Sequence, residues 1–219
     1  MCALVSSSLI RQLQRAERFL DSGDAPSAES LCQQILTKTP RNPDALFLLG
    51  IAQLAQDRAG DAAALFDRVL AIDPRHGSAL ENLGLAYLML GRFQDAEQAL
   101  RRASAIAGAP GSVFMRLGIA MLEQGRAEDA LSVLRHALAL EPDSPDCHLN
   151  LGRALGTIGD LAGASDRFHA VLRLAPQRPE GAFNLGVIAL QSGDLAQARQ
   201  WFERAHVLDP LNPAVSTEL

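Results

Sequence analysis

The sequence predicts an all-α solenoid, a stack of antiparallel helix pairs with one pair per 34 residues. Three observations predict it. Glycines recur at Gly50, Gly84, Gly118, Gly152 and Gly186, a step of 34 residues each time with no insertion. A second column, Ala28, Ala62, Ala96, Ala130, Ala164 and Ala198, keeps the same step and carries it one unit toward the N-terminus. Helix-end chemistry then punctuates the chain at matching intervals. Asn42-Pro43, Ser144-Pro145 and Asn212-Pro213 stand at unit boundaries, and Gly23-Asp24, Gly159-Asp160 and Gly193-Asp194 stand inside units. A fixed period of this length, with two helices per unit, belongs to helical solenoids.

The columns place six units at residues 9–42, 43–76, 77–110, 111–144, 145–178 and 179–212, with 213–219 opening a further, truncated helix. All of residues 1–219 are expected to form one solenoid. Each boundary has a local cause. An Asn or Ser before Pro offers a side-chain acceptor to the first free N–H groups, and Pro at the first helical position loses no hydrogen bond. Asp73-Pro74, Glu141-Pro142 and Asp209-Pro210 stop the second helix of a unit. Glycine in a Gly-Asp pair takes positive φ at the end of the first helix, and the aspartate caps the second. Hydrophobic residues are 48% of the chain. In a solenoid they form a continuous seam, because each unit packs only on its neighbours.

Within a unit, Leu-Gly stands at places seven and eight, Ala at twenty, a large apolar residue at twenty-four and Pro at thirty-two. Leu83-Gly84, Ala96 and Leu100 show the pattern in the third unit, and Leu185-Gly186, Ala198, Phe202 and Pro210 in the sixth. This pattern resembles the tetratricopeptide repeat over nearly the whole chain. The resemblance implies a right-handed superhelix whose first helices line a concave face. It also implies a non-catalytic scaffold that holds an extended peptide or a partner helix. The repeat serves many processes, so the fold does not name the partner.

In chain order, the first unit departs from the pattern. Arg15-Ala16 replaces Leu-Gly, and Arg11, Gln12, Gln14, Glu17 and Arg18 make its first helix polar, as a terminal cap with no preceding neighbour requires. Cys32 falls where Phe66, Leu100, Leu134, Phe168 and Phe202 stand and is expected to be a small buried hydrophobe. In the second unit, Asp57 replaces the inter-helix glycine with Gly60 three residues on, which predicts a shifted turn. In the third, Gly108-Ala109-Pro110-Gly111 replaces the usual ending and predicts local flexibility. After the sixth unit, PAVSTEL is too short to cover it, so Trp201 and Val207 are expected to be poorly shielded. Such an open end fits a fragment of a longer protein, or docking on a partner or a second copy.

The candidate binding stripe runs along the first helices. Place six reads Gln14, Leu48, Asn82, Arg116, Asn150 and Asn184. Asn82, Asn150 and Asn184 are similar to the asparagine ladder in the tetratricopeptide superhelix of O-linked N-acetylglucosamine transferases, where inward amides bind a peptide backbone. An amide donates and accepts at once, so a ladder of them pairs with any sequence. The alternative is that these amides bond water or neighbouring helices. Around them stand Phe47, Leu85, Met115, Ile119 and Phe183, with Ile51, Met89, Leu149 and Val187. These either pocket peptide side chains or pack on the next helix. Arg116 and Arg153 would engage an acidic side chain or a terminal carboxylate, unless Glu81 and Glu123 neutralise them. The family's two-carboxylate clamp lacks its lysines here, and Leu13 and Glu17 stand where basic and amide groups are needed.

No catalytic arrangement emerges. His76, His136, His148, His169 and His206 occupy unrelated places, and no metalloprotease, nucleophile-elbow or phosphate-loop motif occurs. Cys147-His148 is the single suggestive pair, but adjacent helical residues point apart. No cofactor or metal is expected. Three cysteines form no disulfide or metal pattern, which indicates a reducing compartment. The N-terminus has no secretory-signal order, and no run spans a bilayer. Lys38 is the only lysine. With the alanine and leucine richness, that suggests a bacterial origin, while the cysteines, the N-terminus and the lack of a spanning run suggest a cytoplasmic protein. A net charge of −5 argues against a nucleic-acid partner. The alternative of another class is a substrate-recognition module of a larger glycosyl- or sulfo-transferase.

Overall fold

The computed structural model describes residues 2–210, with side chains from Ser8 onward. Asn212-Pro213 and the beginning of a further helix lie outside the described residues. The first helices of the repeats are α1 (Cys2–Asp21), α3 (Pro43–Leu54), α5 (Gly77–Met89), α7 (Gly111–Leu122), α9 (Pro145–Thr157) and α11 (Pro179–Gln191). The second helices are α2 (Ala25–Lys38), α4 (Ala59–Leu70), α6 (Phe93–Ser104), α8 (Ala127–Leu140), α10 (Leu161–Leu174) and α12 (Leu195–Leu208). No strand occurs among the described residues. The helices fall into two compact units, α1–α6 within Met1–Ala109 and α7–α12 within Pro110–Leu219.

The glycine column closes each helix pair. A Cβ built on Gly50, Gly84, Gly118, Gly152 or Gly186 would lie 2.5–2.6 Å from the nearest side-chain carbon of Phe66, Leu100, Leu134, Phe168 or Phe202, respectively. The large side chain at place twenty-four therefore lies directly on the backbone of the first helix. The first repeat reaches the same fit differently. Ala16 and Cys32 hold the corresponding places, both fully buried, so a larger residue on one helix is matched by a smaller one on the other.

Turn chemistry follows the sequence in most places. Asp24, Asp160 and Asp194 accept from the N–H of Ser27, Gly163 and Gln197, and Gly23, Gly159 and Gly193 have φ of 79°, 85° and 80°. Asn42 and Ser144 cap α3 and α9. His76 caps α5, its Nδ1 accepting from the Ala79 N–H at 3.1 Å.

Two expectations change, and one helix start is capped from a distance. The turn at Asp57 is not shifted: Asp57 itself adopts φ 58°, taking the glycine's conformation, and α4 begins at its regular place. Aspartate tolerates this region through its short polar side chain. Helix α4 ends at Leu70, ahead of Asp73-Pro74, whereas Glu141 and Asp209 do stand at the ends of α8 and α12. At α7, the N-cap Pro110 offers no side-chain acceptor, and the Glu141 carboxylate takes over, accepting from the Ser112 N–H at 3.0 Å. A Cβ on Gly111 would collide with that carboxylate at 2.7 Å, so the glycine makes room for a borrowed cap.

Within each unit the first helices of successive repeats touch: α1 with α3, α3 with α5, α7 with α9, and α9 with α11. The second helices make no comparable contact among the described residues. Each unit therefore presents its first helices on an inner side and parts its second helices on the outer side.

Candidate functional site

Place six in the first helices has one geometry for all three asparagines. Asn82, Asn150 and Asn184 each donate a side-chain N–H to the carbonyl four residues earlier, at Ser78, Asp146 and Glu180, over 2.8, 2.9 and 2.7 Å. The amides are thus oriented by their own helices. Asn82 and Asn184 are half-buried, whereas Asn150 is only 6% exposed, and its carbonyl also accepts from Arg153 at 3.2 Å. Asn150 therefore leaves little for a foreign backbone and instead holds Arg153. Leu48, at the same place in α3, is buried.

Arg153 reaches across to Glu123 at the end of α7, with 2.9 Å between Nη2 and Oε1. Arg116 is half-buried on α7. The apolar residues divide. Phe47 packs 5.8 Å from the Phe66 ring and 5.2 Å from His76, and Phe183 lies 5.6 Å from Phe202, so both face the seam. Leu85, Met115 and Ile119 are half-buried on the inner helices.

Arg153 and Asn184 converge on one feature, a cleft of about 230 Å³ between α9 and α11. Phe168, Val187 and Ile188 supply its apolar lining, and Gln191 closes one end. Its origin lies at Gly156. Place twelve is leucine in every other repeat, at Leu20, Leu54, Leu88, Leu122 and Leu190, and glycine only in the fifth. A Cβ on Gly156 would meet only ordinary contacts, the nearest at 3.7 Å, so no crowding demands glycine there. The missing leucine side chain is the opening. The carbonyl oxygen of Asn184 makes no hydrogen bond to another described residue and is available at this cleft.

Cys32, Cys147 and His148 are buried and do not line the cleft. Cys147 is fully buried, and burial pushes its thiol up. Cys32 is likewise buried, its thiol pushed up to about 11. His148 is 8% exposed, with Nε2 donating to the Pro142 carbonyl at 3.1 Å, and burial lowers its pKa below the ordinary 6.5. No cluster of three metal-ligating side chains occurs among the described residues, and no described helix is long and apolar enough to cross a membrane.

Sequence models of the tetratricopeptide repeat match residues 13–76 and 149–213, and a second such model matches 53–110. A third, described as TPR repeat, matches 118–159. The chain belongs to the tetratricopeptide-repeat family. No curated protein matches the sequence. Among solved structures, PilF of Pseudomonas aeruginosa is similar with a TM-score of 0.82 at 20% identity, covering 97% of this chain and 96% of that one. PilW, a widely conserved type IV pilus biogenesis factor, aligns with a TM-score of 0.85 at 20% identity, over 96% and 97% of the two chains. YrrB, a TPR protein with an unusual peptide-binding site, aligns with a TM-score of 0.66 at 18% identity, over 86% and 98%. At these identities the likeness concerns the fold.

Gly156, Phe168 and Gln191 line the cleft without standing in the place-six column. Gly156 carried a legible signal, being the single break in a leucine column. Phe168 and Gln191 carried none, since one reads as core and the other as a solvated helix end.

Proposed function

We propose that this protein is a non-catalytic scaffold that binds an extended segment of a partner protein along the inner side of its first helices, with the cleft between α9 and α11 as the anchoring point. The observation that carries this is the convergence of Arg153 and Asn184 on an apolar opening created by Gly156. A cavity of about 150 Å³ admits a benzene-sized ring, so about 230 Å³ accommodates a leucine or phenylalanine side chain. Above it, the Asn184 carbonyl accepts from a peptide N–H, and Arg153, whose charge is already met by Glu123, donates a further N–H to a peptide carbonyl. Asn150 positions Arg153, and Met115, Ile119 and Arg116 stand on the inner side of the same unit, while Asn82 and Leu85 stand on the inner side of the first unit. Phe47 and Phe183 pack on Phe66 and Phe202 and are left to the seam of their own repeats.

Two buried free cysteines support a reducing, cytoplasmic setting, and the charge of −5 supports a protein partner over a nucleic acid. Leu195 and Val207 on α12 are 68% and 78% exposed, which supports self-association through the last repeat. Trp201 does not contribute to that surface: it packs edge-on against His169 of the preceding repeat at 5.6 Å.

The test is selection of binders from a random-peptide display library on the full chain, followed by affinity measurement on three variants. Arg153→Ala and Asn184→Ala should each weaken selected peptides roughly tenfold. Gly156→Leu, which removes no polar group and fills the cleft, should abolish the contribution of the anchoring side chain. Selected peptides that bind all three variants as they bind the wild type would refute the site.

A further inference from the structure

We propose that the outer side of the second unit carries a separate binding site, a groove between α8 and α10 that takes an acidic peptide segment by seating an apolar side chain between two carboxylates. The groove follows from the stacking. Contact between the first helices parts the second helices, and the gap between α8 and α10 is floored by Leu151 and Leu155 of α9. It encloses about 460 Å³, with Leu138 extending the apolar floor and Arg135 and Arg167 on opposite walls.

The repeats serve as internal controls for these arginines. Place twenty-three holds Leu31, Leu65, Ala99, Val133 and Trp201 in the other units, and Arg167 only in the fifth. A cation thus replaces an apolar residue at a half-buried position. At place twenty-five, Arg101 of the third repeat is neutralised by Glu97 one turn earlier, at 2.8 Å. Arg135 stands at the same place, but one turn earlier is Leu131. Neither Arg135 nor Arg167 makes an ion pair or hydrogen bond to a described residue. Asp160 also lines the groove, yet its carboxylate accepts from the Gly163 N–H at 2.9 Å as the cap of α10 and does not neutralise the arginines.

An apolar floor between two cations that make no ion pair complements an anion with an apolar body. The gap is open along its length, so a lipid chain laid in it would remain half in water. A peptide needs to bury only one or two side chains there, with its carboxylates on the rim. The site is independent of the inner cleft.

The probe is a blocked tetrapeptide, Glu-Leu-Leu-Glu, titrated into the isotope-labelled full chain and followed by two-dimensional NMR. The amides of Ala139, Leu155 and Gly163 should shift. The Gln-Leu-Leu-Gln analogue should bind roughly tenfold more weakly, as should the acidic peptide to an Arg135→Glu/Arg167→Glu variant that keeps the wild-type melting temperature. Gly156→Leu, which fills the inner cleft, should leave this binding unchanged. Equal affinity for the two peptides, shifts centred on α9 and α11, or loss of binding in Gly156→Leu would overturn the proposal. So would decanoate shifting the same amides where the peptide does not, which would make the groove a fatty-acid site.

Discussion

At Gly118 a Cβ would sit 2.5 Å from the Cγ of Leu134, a branched core side chain held on all sides. Gly118→Ala should therefore cost ~1–3 kcal/mol in urea unfolding, although alanine is otherwise the better helix former. The first repeat supplies the reciprocal experiment. Cys32→Phe should destabilise the protein while Ala16 keeps its methyl group, and the added Ala16→Gly change should restore much of the loss, a coupling measurable in a double-mutant cycle. His148 gives the pH dependence. Burial, opposed by the Pro142 hydrogen bond and reinforced by the Arg167 and Arg173 charges, lowers its pKa, so the folded state prefers the neutral ring. Its contribution is intact above the ordinary value of 6.5 and is lost as pH falls through the folded pKa. Thermal melts between about pH 7 and pH 5 should show less acid destabilisation for His148→Leu than for wild type, leucine being the residue at the same place in α3 and α5.

At the scale of the element, each helix pair is set by its turn. Asp57 holds a left-handed conformation that glycine adopts in the other repeats, at φ 58° against 68°–85° for Gly23, Gly91, Gly125, Gly159 and Gly193. Asp57→Gly should stabilise the second repeat by about 0.5–1 kcal/mol, the steric relief exceeding the added freedom of the unfolded chain. An unchanged or lower urea midpoint would mean that the aspartate's own polar contacts hold the turn. Neighbouring repeats are tied by polar groups near the helix ends. Glu29 on α2 is held below the usual carboxylate range by hydrogen bonds from Gln56 and Arg58 of the next repeat. Arg68 and Arg102 donate to the Pro40 and Pro74 carbonyls, the same pairing one repeat apart.

At the scale of the whole molecule, contacts inside each compact unit are local: helices pack on the next helix in sequence or on the matching first helix one repeat away. Stability in such a chain is a sum over repeats and their interfaces, and an end repeat has one interface where an inner one has two. Hydrogen exchange should therefore proceed faster in α2 than in α4, and mass spectrometry of peptides from the two helices would show it. Equal protection would mean that the first unit opens as one cooperative block.

The sequence by itself determined the helical solenoid, its period and the place of nearly every turn, because those features depend on residues close together in the chain. Gly23-Asp24 and Asn42-Pro43 each carry their whole physical cause in two letters. Gly156 and Arg167 stand in the sequence as breaks in otherwise regular columns, without a meaning of their own. Only the tertiary structure decided what those breaks do. Whether a lost leucine leaves a void or is refilled, and whether an arginine meets a carboxylate or none, depends on side chains brought in from the adjacent repeat. For the same reason Asn82, Asn150 and Asn184 read as three equal amides in the sequence. They separate in the structure, where Asn150 is enclosed and spent on Arg153 while Asn184 faces an opening.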